Sequence, residues 1–153
     1  MKLPTPIRYA VRILFELHGA EGPLSIATLS DRTGITFRAI ENLHATLRQH
    51  GITSATVGAK GGIVLDVPLA EISLGKLIAL LDDGVEFAVC CGERANECPN
   101  QAECAMRSVW RAVSASFQQA LDAVSLEAIL NDYPEGALGL EKPPAKTARP
   151  EKR

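Results

Sequence analysis

The sequence predicts a mainly α-helical fold with one small β-hairpin, and two observations support this class. Apolar residues recur at spacings of three and four in most segments, as they do along one face of an α-helix. The segment "ITSATVGAKGGIVLDV" (residues 52–67) is different, because β-branched residues flank a glycine-rich turn, a pattern typical of a two-stranded hairpin. The hydrophobic content of 46% is enough for a core, and the aromatic content of 5% makes that core aliphatic.

Three helices are predicted before the hairpin. "TPIRYAVRILFELHG" (residues 5–19) has helical apolar spacing and stops at Gly19. "SIATLSDRTG" (residues 25–34) has Ser25 as its predicted N-cap and Gly34 as its stop. "TFRAIENLHATLRQHG" (residues 36–51) begins at Thr36 as its cap and ends at Gly51. Its predicted inward face consists of Ile40, Leu43 and Leu47.

Three further helices are predicted after the hairpin. "SLGKLIALLDD" (residues 73–83) is followed by a polar segment that contains every cysteine of the chain. A long helix is expected over residues 105–124, and "SLEAILNDY" (residues 125–133) is a short last helix. The long helix has one apolar stripe, formed by Met106, Val109, Trp110, Val113, Phe117, Ala120, Leu121 and Val124.

Charge divides the chain into parts with different roles. Residues 1–66 contain seven Lys/Arg and five Asp/Glu, whereas residues 67–140 contain four and eleven, so only the first part is suited to a polyanion. The end, "EKPPAKTARPEKR", has three prolines, seven charges and no large apolar residue, and it is expected to be disordered. We therefore predict three segments: a polyanion-binding domain over residues 1–66, a second region over 67–135 that contains the cysteines and the long helix, and a disordered tail over 136–153.

Three helices followed by a hairpin is the order of a winged helix-turn-helix, in which the third helix enters the DNA major groove and the hairpin is the wing. The predicted outward face of the third helix contains side chains that bond base edges: arginine to guanine, asparagine to adenine and glutamate to cytosine. Lys60 lies at the wing tip among Gly58, Gly61 and Gly62, which allow a close backbone approach to phosphate. The predicted DNA-contacting residues are Thr36, Arg38, Glu41, Asn42, Arg48 and Lys60.

All four cysteines lie within 15 residues, at Cys90, Cys91, Cys98 and Cys104. Seven residues separate Cys90 from Cys98 and five separate Cys98 from Cys104, so the tight C-x-x-C pairs typical of structural zinc and of thioredoxin-like redox motifs are absent. Wide, uneven spacing suits thiolates that surround an iron–sulfur cluster. A zinc site, a thiol switch and ordinary structural cysteines remain as alternatives.

In their order along the chain, these motifs resemble the IscR/NsrR family of winged-helix transcription regulators over about residues 1–135. "ITFRAIENLHATLRQHGI" is similar to the family's recognition helix, "GAKGGIVL" to its wing, and "SVWRAVSASFQQALDAVSLEAIL" to its dimerisation helix and the segment that follows. The resemblance implies a homodimer that binds a pseudo-palindromic double-stranded operator. It also implies a [2Fe–2S] or [4Fe–4S] cluster held by Cys98, Cys104 and either Cys90 or Cys91, with Cys90 giving the better match.

The chain departs from the family at both of the usual fourth ligands. One branch has a histidine three residues after the last cysteine, where this chain has Arg107, and the other branch uses an acidic residue near the position of Arg8. Cys91 is therefore the natural fourth-ligand candidate, with a carboxylate or an open iron site as alternatives. Glu41 occupies the position of a base-reading glutamate, and Val57 replaces a groove-reading arginine in the wing.

The function expected is a regulator that senses iron–sulfur, redox or nitric oxide status. A zinc-stabilised or thiol-based regulator and an electron-transfer or cluster-transfer protein are the alternatives. No arrangement typical of a catalytic site is present, so no enzyme is expected. The chain has neither a secretory signal nor an apolar run of membrane-spanning length, so a cytoplasmic location is expected. His44 is expected to face solvent, and Trp110 to lie in the core or a dimer interface.

Overall fold

The computed structural model describes residues 3–58, 61–81, 98 and 104–132. The predicted order of three helices, a hairpin and three further helices is confirmed, with one additional 3-10 turn at Leu69–Glu71. The elements are α1 (Thr5–His18), α2 (Ile26–Thr33), α3 (Phe37–Gln49), β1 (Thr53–Thr56), β2 (Gly62–Leu65), α4 (Leu74–Leu81), α5 (Arg107–Asp122) and α6 (Leu126–Asp132).

The caps of α2 confirm the prediction from its sequence. Ser25 Oγ accepts a hydrogen bond from the Thr28 backbone N–H at 3.1 Å, which satisfies one free donor of the first turn. Gly34 ends the helix with φ of 71°, a left-handed conformation that favours glycine. Thr36 occupies the N-cap position of α3 as expected, but its side chain makes no capping hydrogen bond.

The core is aliphatic, as the composition predicts, and α1 lies at its centre. Six of the 14 residues of α1 are buried, and they contact α2, α3, β2 and α4. Because the same helix packs against both the hairpin region and α4, one hydrophobic cluster joins residues of both halves of the described chain. The fully buried large aliphatic side chains are Ile7, Ile13, Leu14, Leu29, Ile40, Leu47, Ile52, Leu69, Ile72, Leu77 and Leu126.

The hairpin is held to the helices by a backbone bridge that sequence periodicity does not indicate. β1 and β2 pair antiparallel from Thr53 opposite Leu65 to Thr56 opposite Gly62. Leu24 and Ile63 exchange both backbone hydrogen bonds, at 3.0 and 2.8 Å. A Cβ at Gly62 would lie 2.6 Å from the backbone carbonyl group of Leu24, so the close approach requires glycine at this position.

A second backbone bridge closes the C-terminal part. Leu74 N–H donates to the carbonyl of Val124 at 2.8 Å, and Leu126 N–H donates to the carbonyl of Ile72 at 2.9 Å. Leu126 and Ile129 of α6 are thereby brought into the core. α5 spans 107–122, two residues shorter at each end than predicted. On its C-terminal side, Ser125 already caps the next helix by accepting a hydrogen bond from the Ala128 N–H at 3.1 Å.

Candidate nucleic-acid interface and thiol site

α3 separates an apolar face from a polar face, as its sequence predicts. Ile40, Leu43 and Leu47 are buried against the core. The predicted DNA-contacting side chains of this helix and its cap are all exposed: Thr36, Arg38, Glu41, Asn42 and Arg48. The arrangement presents two arginines, a carboxylate and an amide on one accessible surface, which we call the α3 face. These groups match the donors and acceptors that DNA base edges and phosphates recognise.

Phe37 belongs to the α3 face, although the sequence interpretation did not include it. It is the first residue of α3, and 55% of its surface is exposed. It lies three positions before Ile40, a spacing that favours the inner stripe, so periodicity alone assigns it to the core. The sequence does indicate the exposure in one way: Phe37 is placed at the start of the helix, where no preceding turn covers its ring.

His44 faces solvent only in part, which corrects the expectation from sequence. It is half-buried, and its Nδ1 lies 3.1 Å from Oγ1 of Thr53, the first residue of β1. Burial lowers the pKa of His44 below 6.5; the nearby charge of Arg48 also lowers it, while Asp66 opposes the shift. The neutral form of the His44 imidazole is therefore favoured, and His44 links α3 to the wing.

The described part of the wing is fixed by hydrogen bonds on both strands. Ser54 Oγ donates to Asp66 Oδ1 at 2.7 Å, and the Gly62 N–H donates to Thr56 Oγ1 at 3.2 Å. Val57, which follows β1 directly, is fully exposed beside the wing tip. The predicted tip residue Lys60 lies outside the described residues.

Two of the four predicted thiol ligands can be located. Cys98 and Cys104 are partly buried, and neither forms a disulfide within the described residues. The Arg107 N–H donates to the carbonyl of Cys104 at 3.1 Å, so the last cysteine is joined to the first turn of α5. Cys90 and Cys91 lie outside the described residues. Among residues 3–58, 61–81, 98 and 104–132, no three potential metal-ligating side chains come together.

α5 exposes its apolar stripe. Within the described chain no residue of this helix is buried, although it packs against α4, where a Cβ at Gly75 would collide with the side chains of Asp122 and Gln118. Trp110 is accordingly not in the core of the single chain. The side chains of the stripe, which we call the α5 stripe, are 36–47% exposed: Met106, Val109, Trp110, Val113 and Phe117.

Helices α1 to α3 with the bridged hairpin define a winged helix-turn-helix protein. The family model described as Rrf2, an iron-dependent transcriptional regulator, matches residues 3–132. The chain therefore belongs to the Rrf2 family of transcriptional regulators. This membership confirms the expected family, the expected fold and the expectation of a non-enzymatic protein, and it implies DNA as a partner.

Individual relatives agree with the family assignment. The chain is 33% identical over 134 residues to the HTH-type transcriptional regulator IscR of Aliivibrio salmonicida, a match covering 86% of this chain and 79% of the relative. The structure of CymR (YrzC), the global cysteine regulator of B. subtilis, has a TM-score of 0.68 at 26% identity and covers 88% of this chain and 99% of its own. The structure of T. potens IscR has a TM-score of 0.66 at 29% identity, and the match covers 86% of this chain and 88% of that chain.

None of the helices in the described parts of the chain has both the length and the apolar character that a membrane span requires.

Proposed function

We propose that this regulator binds a pseudo-palindromic operator as a homodimer and changes its DNA affinity in response to an iron–sulfur cluster held by its cysteine segment. The observation that supports the sensing step most directly is the hydrogen bond from the Arg107 N–H to the carbonyl of Cys104. It joins a candidate ligand to α5, and α5 carries the exposed apolar stripe. Because only two residues separate Cys104 from α5, we expect a change at the thiol to alter how that helix begins.

The proposed domain organisation separates the DNA-binding part of the chain from the sensing part. Residues 1–66 contain the α3 face and the wing, residues 67–135 contain the cysteines and α5, and residues 136–153 form a tail. α5 supports a homodimer, since five large apolar side chains exposed along one helix face would be removed from water by a second copy. Two copies of α3 then match the two half-sites of a pseudo-palindrome.

The donor set is suited to an iron–sulfur cluster. Cys98 and Cys104 have thiols that are free of disulfides within the described chain and are only partly buried, so both are accessible to a ligand. Cys90 or Cys91 supplies the third thiolate, and the remaining one of the pair is the fourth-ligand candidate because the side chain of Arg107 cannot ligate iron. When bound, a [2Fe–2S] or [4Fe–4S] cluster supplies iron that reacts with oxidants and nitric oxide. The chain's own contribution is to place Cys104 beside the first turn of α5.

A thiol-based regulator is the second candidate, and the likeness to CymR favours it. The fold comparison does not distinguish a thiol-based regulator from a cluster-sensing one, because the TM-scores for the cysteine regulator and for T. potens IscR are 0.68 and 0.66. In this alternative, Cys98 and Cys104 act as reversible redox thiols without a bound group. A zinc-stabilised site is a third arrangement of the same residues. Family membership favours all three over an electron-transfer protein.

Anaerobic purification followed by visible absorption, iron and sulfide assays distinguishes these arrangements. We expect a coloured protein with iron and acid-labile sulfide in about equal amounts. Cys98→Ser and Cys104→Ser should each remove the colour, whereas Ser108→Ala, a change just inside α5, should retain it. Cys90→Ser and Cys91→Ser, measured side by side, identify the fourth ligand. A colourless protein after reconstitution with iron and sulfide, or one that contains zinc, would contradict the cluster.

DNA binding is tested on the same preparations. Holo and cluster-free protein should differ in affinity for the selected operator at fixed salt, and the affinity of each should fall as salt increases. Equal affinities would contradict sensing while leaving the DNA-binding assignment intact.

Glu41 is proposed as a base-reading residue of the α3 face. Glu41→Ala should change base preference at one position of each half-site more than it changes overall affinity, because a carboxylate accepts a hydrogen bond from cytosine N4. Glu21→Ala, at an exposed carboxylate outside α3, is the control and should leave the preference unchanged. An equal loss of affinity on all sequences would show that Glu41 contacts no base edge.

A further inference from the structure

We propose that Phe37 is a specificity-determining residue that contacts the C5-methyl group of a thymine in the major groove. This assignment rests on the proposed function, in which α3 is the recognition helix. It adds an apolar contact to a set of residues that otherwise recognises DNA through hydrogen bonds and charge.

The position of Phe37 is the first argument. The N-terminal residues of a recognition helix are those that contact base edges, and Phe37 is the first residue of α3. Thr36 before it is extended, with φ of −65° and ψ of 148°, so the chain enters the helix without a preceding turn that would cover the ring. Phe37 lies four positions before Glu41, and residues at this spacing are neighbours on one helix face.

The exposure of the ring is the second argument. The other large side chains that point outward from α3 are polar, whereas Phe37 leaves 55% of an apolar surface in water. By contrast, the apolar residues Ile40, Leu43 and Leu47 of the same helix are all buried. An aromatic ring at a DNA-facing position stabilises the complex only if it meets an apolar group. The major groove offers one such group, the methyl group of thymine.

Helix geometry gives the position of this thymine. One turn of α3 advances about 5.4 Å, and base pairs are spaced by about 3.4 Å. Phe37 and Glu41 are therefore expected to contact positions one or two base pairs apart. The proposed half-site contains a thymine within two base pairs of the cytosine that Glu41 recognises, and the two contacts should change independently when either residue is replaced.

The test removes the methyl group from the DNA and the ring from the protein. A preferred duplex is first selected from a random library with the full-length protein. Each thymine is then replaced in turn by deoxyuridine, which lacks only the methyl group. We expect one position per half-site at which deoxyuridine weakens binding by the wild-type protein about three- to ten-fold, as for the loss of a buried methyl group. Phe37→Ala should bind the thymine and deoxyuridine duplexes equally.

Two controls make the result specific. Leu130→Ala shortens another exposed apolar side chain, in α6 and outside both the α3 face and the wing, and should retain the full difference between thymine and deoxyuridine at the position assigned to Phe37. Phe37→Leu keeps an apolar side chain and should retain part of the difference between thymine and deoxyuridine. Circular dichroism of Phe37→Ala should match the wild type, since an exposed side chain contributes little to folding.

The outcomes separate this inference from the proposed function. If the wild-type protein binds its selected duplex with salt dependence but no deoxyuridine substitution weakens binding, Phe37 contacts no methyl group and the inference is wrong, while α3 remains the recognition helix. The inference is also wrong if Phe37→Ala retains the methyl dependence. If no duplex is bound at all, the proposed DNA-binding surface and the assignment of Phe37 both fail.

Discussion

His44 Nδ1 and Thr53 Oγ1 lie 3.1 Å apart, and this hydrogen bond joins α3, the proposed recognition helix, to the first strand of the wing. Thr53 is buried, so its hydroxyl requires a partner within the protein. The two elements that we propose contact DNA are thus connected by side chains as well as by the short segment 50–52. The orientation of the wing relative to α3 depends in part on His44.

Removing the hydroxyl at this junction should destabilise the protein. Thr53→Val keeps the β-branched shape and deletes the partner of His44, so we expect the free energy of unfolding to fall by about 1 kcal/mol. Denaturant unfolding followed by circular dichroism measures the change. Thr46→Val is the control, because the Thr46 hydroxyl donates to the Asn42 carbonyl within α3 and so lies away from the junction. A loss in Thr46→Val as large as that in Thr53→Val would show that the junction has no particular role.

The lowered pKa of His44 predicts how stability depends on pH. In the unfolded chain the imidazole takes up a proton as the pH falls through about 6.5, whereas in the folded chain burial and the charge of Arg48 keep it neutral to lower pH. The unfolded state then binds more protons, so the free energy of unfolding decreases as the pH falls below 6.5. Above that range both states are neutral and His44 makes no pH-dependent contribution.

A histidine variant and a control without a titratable change isolate this contribution. His44→Gln retains a side chain able to bond Thr53 but does not titrate, so it should flatten the stability profile between about pH 6.5 and pH 5 relative to the wild type. Thr46→Val replaces no titratable group and should keep the wild-type slope. Unfolding measured at half-unit pH intervals gives the slopes, and an unchanged slope in His44→Gln would contradict the assignment.

The backbone bridge between Leu24 and Ile63 predicts a strict requirement at Gly62. An alanine Cβ at this position meets the carbonyl carbon and oxygen of Leu24, which are backbone atoms that cannot rotate away. Gly62→Ala should cost about 1–3 kcal/mol by forcing the wing from the helices. Gly22→Ala is the matched control: a Cβ there meets nothing within 4 Å, and the change should be neutral or slightly stabilising. Equal effects of the two changes in thermal unfolding would show that the bridge is not tight.

Sequence periodicity predicted the helices and the hairpin because those signals are local. Ser25 and Gly34 cap the two ends of α2 through contacts with residues three or four positions away, so their residue types are sufficient to predict the caps. The bridge of Leu24 to Ile63 and the bond of His44 to Thr53 join residues 39 and nine positions apart, and no local pattern indicates them. The 3-10 turn at Leu69–Glu71 is too short to show a period.

The candidate site was predictable to the extent that it lies on a regular element. The polar face of α3 follows from helical spacing, because Ile40, Leu43 and Leu47 fix which side faces the core. Phe37 has the spacing of a core residue and becomes exposed only because the helix begins there. The cysteine segment has no periodic pattern, so its residue types predict a ligand set without a geometry. Cys104 is joined to α5 through a backbone bond that residue types do not reveal.

The α5 stripe predicts that one charged substitution converts the proposed homodimer into a monomer. Val113 lies near the centre of the stripe and is 40% exposed in the single chain. In a dimer formed through this face, Val113→Glu would place a carboxylate in an apolar interface, where an unpaired charge is strongly unfavourable. We expect the dimer dissociation constant to rise at least 100-fold, measured by sedimentation equilibrium over a range of concentrations.

Ala112→Glu provides the matched control for this experiment. It introduces the same side chain at the adjacent position, which is exposed and lies about 100° around the helix from Val113. This variant should dimerise like the wild type, and both variants should keep the helical circular dichroism of the folded chain, since neither residue is buried within the described chain. A monomeric Val113→Glu protein would occupy each half-site separately, so this variant should also lose the steep concentration dependence of operator binding. A Val113→Glu protein that remains dimeric would place the interface elsewhere on the molecule.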